Sequence, residues 1–389
     1  MGFPVADHWE MNEQKTYDVA IIGGGLAGLC LSIQLSRAGY NVILFEKEKY
    51  PFHKVCGEYI SFECWNFLEE MGVPLSDWNL PHIRKLLVSA PSGKTIRHIL
   101  PLGGFGISRY KLDAYLAALT RKFGTIVMEA TRVDNIWFSK SHFHIQYGND
   151  MCKAKLAAGT FGKRSNLDIK MKRPFALKRP GKLNNYIGVK YHIKADFPPD
   201  HIALHNFEDG YCGISRIEDD KYCLCYLTTA RNLKRCNNSI SELEQKVLRK
   251  NPFLDQIFSS STFLYETPET IAQISFEKKS QVEHHLLMIG DAAGMIAPLC
   301  GNGMSMAMHG SKIAFSKITP FLEGKISRDD MEAEYQAAWN SHFKRRVTAG
   351  RIIQGLFGKG WITNIFIRTL YPFPSLIEKL IRQTHGEPF

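Results

Sequence analysis

Near its N-terminus the chain carries the pattern that most restricts its fold. An apolar, β-branched run, Tyr17-Asp-Val-Ala-Ile-Ile22, leads directly into Gly23-Gly-Gly-Leu-Ala-Gly28. The run reads as a short buried parallel strand. Leu29 to Arg37 reads as a helix closed by Gly39, and Asn41-Val-Ile-Leu-Phe45 as a second strand ending at Glu46. The result is a βαβ unit with Gly23, Gly25 and Gly28 in G-x-G-x-x-G spacing at its first turn. Gly23 permits the tight turn, Gly25 lets backbone approach a pyrophosphate, and Gly28 allows close helix–strand packing. The helix start offers free N–H groups and partial positive charge to phosphates. Glu46 sits where an acid accepts the hydroxyls of an adenosine ribose. A dinucleotide site is the expectation, and the spacing alone does not separate NAD from FAD.

A second pattern makes that separation. Ile289-Gly-Asp-Ala-Ala-Gly-Met-Ile-Ala-Pro298, then Leu-Cys-Gly-Asn-Gly-Met-Ser-Met306, resembles the GDAA…P…G-x-G signature of flavoproteins related to para-hydroxybenzoate hydroxylase and geranylgeranyl reductase. Asp291 at a strand end can accept a hydrogen bond from a ribityl hydroxyl, or else cap a helix. Pro298 to Gly303 can lay backbone amides beside the N1/O2 edge of a flavin, and a helix starting near Gly303 would aim its positive end there. Ser108-Arg109 with Leu112-Asp-Ala-Tyr-Leu116 resembles the superfamily's R-x-x-L-D-x-x-L element, whose arginine lies near FAD. Lys54-Val-Cys-Gly-Glu58 resembles the K-x-C-G segment of the geranylgeranyl reductase group, where the cysteine lies close to the flavin. The resemblance implies FAD as cofactor and extends its contacts to Leu26, Ala27, Lys47, Lys54, Cys56, Gly57, Gly290, Gly301, Asn302 and Met304. It makes Cys56 the candidate catalytic residue, against the ordinary reading of a buried thiol as packing. Glu58 is read either as a proton relay or as a solvated acid, and His53 is equally open.

The expected fold is α/β: a Rossmann-like FAD-binding domain interrupted by a mostly antiparallel β-sheet substrate domain, with a helical C-terminus. The expected boundaries are 17–75, 106–172 and 283–345 for the FAD-binding domain, 76–105 and 173–282 for the substrate domain, and 346–389 for a C-terminal helical segment. The basic stretch Lys163 to Lys182, with Pro174 and Pro180, suits a linker. Nine cysteines, an odd number without a CxxC pair, argue against a disulfide framework or a zinc site, and no metal is expected. Reduced thiols fit a cytoplasmic protein. Met1 to Lys15 lack the apolar core of a signal peptide, and no apolar run is long enough to span a bilayer. A net charge of +11 fits a solvated basic surface, an acidic partner or an anionic membrane, and no nucleic-acid module is readable. Aromatic and basic residues alternate over Ile352 to Leu380, as in an interfacial helix that would make peripheral membrane contact; packing of this segment against the FAD domain is the plainer reading.

Two departures bear on the reaction. Ala158-Gly-Thr-Phe-Gly-Lys-Arg-Ser165 has Phe161 where related hydroxylases carry the acid of a D-G pair, which argues against direct use of NADPH. Gly210-Tyr-Cys-Gly-Ile-Ser215 keeps only the tyrosine of the reductases' Y-x-W-x-F-P segment, so the substrate should be handled differently. The W-x-W-x-I-P segment of the related halogenases is absent, and halogenation is set aside. The expected activity is hydride transfer from reduced flavin to a double bond of an apolar lipid, polyene or polyketide. The electrons would come from NAD(P)H or a reduced carrier protein. A flavin monooxygenase is the alternative, and a non-catalytic electron-transfer flavoprotein the least favoured reading.

Overall fold

A computed structural model describes residues 15–178 and 185–356, positions 375, 376, 378, 381 and 383, and residues 386–389. Two sheets organise it. The first has a parallel centre in which Leu286–Met288, Asp150–Gly159, Thr16–Ile22, Val42–Phe45 and Ile126–Met128 lie side by side in that order. The central strand, Thr16–Ile22, is buried from Val19 to Ile22, as expected of a strand covered on both faces. A hairpin, Asn135–Ser139 with His142–Tyr147, adds antiparallel strands to this sheet beside Asp150–Gly159. Helices Leu26–Arg37 and Gly303–Leu322 pack on the sheet, and Tyr335 of the long helix Arg328–Leu356 donates its hydroxyl to the Met288 carbonyl at 2.6 Å.

The second sheet runs in the order Thr262–Phe263, Tyr186–Lys194, Tyr222–Thr229, Gly210–Arg216, His201–Phe207, His82–Ser89, Thr95–Gly106 and Tyr59–Ser61. All these neighbours are antiparallel except His201–Phe207 with His82–Ser89. Along Gly188–Ile193 successive side chains take opposite faces. Ile187, Val189, Tyr191 and Ile193 face one side and form a core with Leu243, Leu248 and Leu254 from the helical segment that follows. Gly188, Lys190 and His192 consequently face the other side, toward the first sheet.

The expected mixed α/β architecture and helical C-terminus are therefore present. The basic stretch read as a linker is different in its described part. Asn166–Lys170 and Pro174–Leu177 are helices, Ser165 and Asp168 form a reciprocal capping box, and Arg173 is buried with its guanidinium 2.8 Å from Asp168. Asp168 and the carbonyls of Ser280 and Ala292 hold Arg173 inside, while Arg164, Lys170, Lys172 and Lys178 stay exposed. Residues 179–182 of that stretch, and most of the 352–380 segment read as interfacial, lie outside the described residues. Among the described residues no helix is long and apolar enough to cross a membrane.

Candidate functional site

The glycine loop lies at the C-terminal end of the central strand, the usual ligand side of an open α/β sheet. Its glycines do different work. Gly23 has φ +112°, and a Cβ there would sit 2.6 Å from the Thr160 carbonyl. A Cβ on Gly28 would lie 2.1 Å from the Gly23 carbonyl, so helix and loop touch only because no side chain intervenes. Gly25 is extended, with φ −84° and ψ −175°, and a Cβ would meet only Arg109 Nη2 at 3.7 Å and Lys54 Nζ at 3.9 Å. The space over Gly25 is thus bounded by two cations. The helix begins at Leu26, three residues earlier than the sequence pattern suggested, with Gly25 as N-cap and no side-chain cap. Its first N–H groups face the same space.

Around the loop, Glu46 is buried and accepts from Gly24 N at 2.9 Å and Glu48 N at 3.1 Å. Arg109 grips Asp113 through Nε and Nη2, both at 2.7 Å, and Lys54 Nζ reaches the same carboxylate at 3.1 Å. Burial alone would raise the Asp113 pKa; Arg109 and Lys54 override it and hold the carboxyl below its usual range. The L-D spacing of the Arg109 element therefore has a local cause: i and i+4 meet on one helix face. Lys47 points away, exposed beside Glu48.

A cleft open to solvent runs from the loop toward the second sheet. Of the residues singled out in the sequence, Gly25, Leu26, Ala27, Cys56, Gly57, Arg109, Gly290, Asp291, Pro298, Gly301, Gly303 and Met304 line it. Gly23, Gly28, Glu46, Lys47, Lys54 and Asn302 stand behind or beside it. Asp291 caps no helix: it lies inside the 3-10 turn Gly290–Ala292, and the following helix is capped at Asn302. The far wall is apolar, with Ile202, Leu204, Leu227, Ile274, Met295 and Leu299, and Tyr211, Gly213 and Cys225 among them.

Beside Cys56 lies a buried ionic cluster that only Glu58 announced. Glu58 is fully buried, not solvated, and accepts from Lys190 Nζ at 2.5 Å, His192 Nε2 at 2.6 Å and Arg109 N at 2.9 Å. Burial raises its pKa, but the Lys190 ammonium and His192 bring it below the ordinary carboxylate value. Its backbone is left-handed, φ +54°, which costs a non-glycine residue roughly 1–3 kcal/mol unless its surroundings enforce it. The three hydrogen bonds enforce it here, fastening the Cys56 segment to the second sheet and to the Arg109 helix. His53 stacks on Tyr110 and lies edge-on to His192; burial, then Lys190, lowers its pKa to about 4. Glu58, His192 and Cys223 could also be read as metal ligands, but the Lys190 ammonium already occupies the carboxylate. Lys190→Met should leave the buried Glu58 carboxylate without its ammonium partner and cost about 3–5 kcal/mol, read by urea denaturation. Adding Glu58→Gln should recover most of that loss. Because the folded Glu58 pKa is lowered, its contribution is present above the unfolded carboxylate pKa of about 4.3 and is lost as pH falls through the folded value.

A family model described as FAD dependent oxidoreductase matches residues 18–54. The chain is 27% identical to conditioned medium factor receptor 1 of Dictyostelium discoideum, over 95% of this chain and 75% of that protein. It is 23% identical to digeranylgeranylglycerophospholipid reductase of Methanococcus vannielii, over 85% of this chain and 84% of the reductase. A flavin-dependent brominase of known structure superposes with a TM-score of 0.77 at 19% identity, over 95% of this chain and 93% of the brominase.

Residues 18–54 thus carry the signature of FAD dependent oxidoreductases, and the fold of the whole chain is that of flavin-dependent enzymes. A geranylgeranyl bacteriochlorophyll reductase-like protein of Thermoplasma acidophilum shares that fold, with a TM-score of 0.76 at 18% identity over 96% of this chain and 97% of that one. The residues of the site fit FAD on their own terms. An uncapped helix start and two cations surround the one loop glycine that lacks close protein neighbours, as a pyrophosphate needs. From that point the cleft continues unbroken past Cys56 and the Gly290–Ala292 turn.

Proposed function

We propose that this oxidoreductase saturates a carbon–carbon double bond of an apolar small molecule. The observation that carries the reading is the continuity of one cleft. Its near end is the cationic glycine loop, its middle holds Cys56, and its far wall is apolar sheet. Bound FAD supplies the hydride chemistry. The N–H groups of Leu26 and Ala27, with Lys54 and Arg109, would hold its pyrophosphate. Gly290 and Asp291 would hold the ribityl chain, and Pro298, Gly301, Gly303 and Met304 would receive the ring. The apolar wall binds the substrate and excludes water. Cys56 Sγ would give the proton that the reduced alkene needs, and its thiolate would be reprotonated from solvent. The relationship to a digeranylgeranylglycerophospholipid reductase supports this reading.

The test is a half-reaction under argon. Enzyme loaded with FAD is reduced with dithionite, freed of excess reductant and mixed with long-chain polyisoprenoids. The yellow absorbance should return as the alkene is consumed. No return with any polyene, alongside rapid return on admitting air, would count against the reductase and for a monooxygenase. Because Phe161 stands in the turn after Gly159, where an acid was expected, reduction by free NADPH should be slow and reduction by a carrier protein fast, measured as bleaching rates.

A further inference from the structure

Three consecutive carbonyls of the Asp291 turn are each held from below by a buried side chain. Lys279 Nζ donates to Asp291 O at 2.8 Å, Arg173 Nη2 to Ala292 O at 3.1 Å and Gln281 Nε2 to Ala293 O at 3.1 Å. Lys279 also donates to the Lys163 carbonyl at 2.9 Å. Lys163 and Asp291 both line the cleft, so one ammonium ties two of its walls together. Arg173 is anchored in turn by Asp168 at 2.8 Å and the Ser280 carbonyl at 3.0 Å. Burying two cations is costly, and a turn of this length needs no charge merely to close. Neutral donors would satisfy the same carbonyls, as Gln281 does.

We propose that Lys279, with Arg173 and Gln281, is a positioning residue for FAD, setting the Gly290–Ala292 turn and placing a positive charge behind it. The proposal rests on the reading that this turn holds the cofactor. Lys279 is 3% exposed and lies over the Phe175 ring at 4.5 Å. Its charged neighbours are Asp291 and Asp168, which favour the ammonium, and Arg173 and Lys163, which oppose it; burial dominates and brings its pKa down to about 8. A deprotonated Lys279 still carries two N–H bonds for its two carbonyls. Titration therefore removes the charge and leaves the hydrogen bonds.

FAD affinity of apo-protein, measured by quenching of flavin fluorescence across pH, tests this. In the natural protein the FAD Kd should rise as pH passes from about 7 to about 9. Lys279→Arg, which cannot deprotonate in this range, should bind FAD with a flat profile. Lys279→Met should bind about tenfold or more weakly near neutral pH, since a hydrogen bond from a charged donor is lost, and should show no rise. Wild-type affinity in Lys279→Met, or a rise that persists in Lys279→Arg, overturns the proposal. If Lys279→Met does not fold, the Lys279→Arg profile alone decides. Asp291→Ala serves as the reference. Unchanged affinity in it removes the cofactor reading and this proposal together, whereas lost affinity there with normal Lys279→Met removes this proposal only.

Discussion

Gly25→Val should give a folded protein that has lost FAD, whereas Gly28→Val should give no stable fold. The two glycines are three residues apart in one motif, yet their surroundings predict opposite failures. At Gly28 a Cβ would stand 2.1 Å from a backbone carbonyl that cannot move without opening the helix–strand contact. At Gly25 the backbone is already extended, a conformation that valine favours, and only the ends of Arg109 and Lys54 are near. The valine side chain would fill the space a pyrophosphate needs. Losing two charge-assisted hydrogen bonds, about 1.5–3 kcal/mol each, predicts a hundredfold or greater loss of FAD affinity at about 1.4 kcal/mol per tenfold. Thermal melts of the apo-proteins and FAD titrations check both halves. Tight FAD binding by Gly25→Val would detach the cofactor from this loop.

Cys56→Ala should slow alkene reduction about a hundredfold or more, the usual contribution of a positioned general acid, while FAD affinity changes little. Cys56 lines the cleft through a segment clamped at both ends, Lys54 on Asp113 and Glu58 on Lys190 and His192. That clamping belongs to Lys54 and Glu58, so removing the thiol leaves the segment in place. Rapid-mixing rates for the argon half-reaction provide the measurement. A loss of only ~2–3-fold would assign the thiol to packing.

What the sequence disclosed follows from how local each interaction is. The glycine loop, the Arg109 element and the 290–304 segment are legible because each makes its geometry within a few residues: a turn, one helix face, a strand end. These segments do converge on one cleft. Lys190 and His192 escaped notice because alternation along Gly188–Ile193 says that they share a face, not that Glu58, more than a hundred positions earlier, waits there. Arg173 and Lys279 were hidden for a related reason. A cation amid other cations reads as solvated, and only the folded chain brings Asp168 and the carbonyls of residues 291 and 292 to them. Lys47 shows the converse, since adjacency to Glu46 gave it no place in the cleft.

The central claim is the proposal that this protein adds hydrogen, not oxygen, to an apolar substrate in that cleft. Its most direct test is the mass of the product formed from one polyene by reduced enzyme, once under argon and once under isotopically labelled dioxygen. The account predicts the same product in both, heavier than the substrate by two hydrogen atoms and free of label. Product that forms only in the presence of dioxygen and carries a labelled oxygen atom would contradict it.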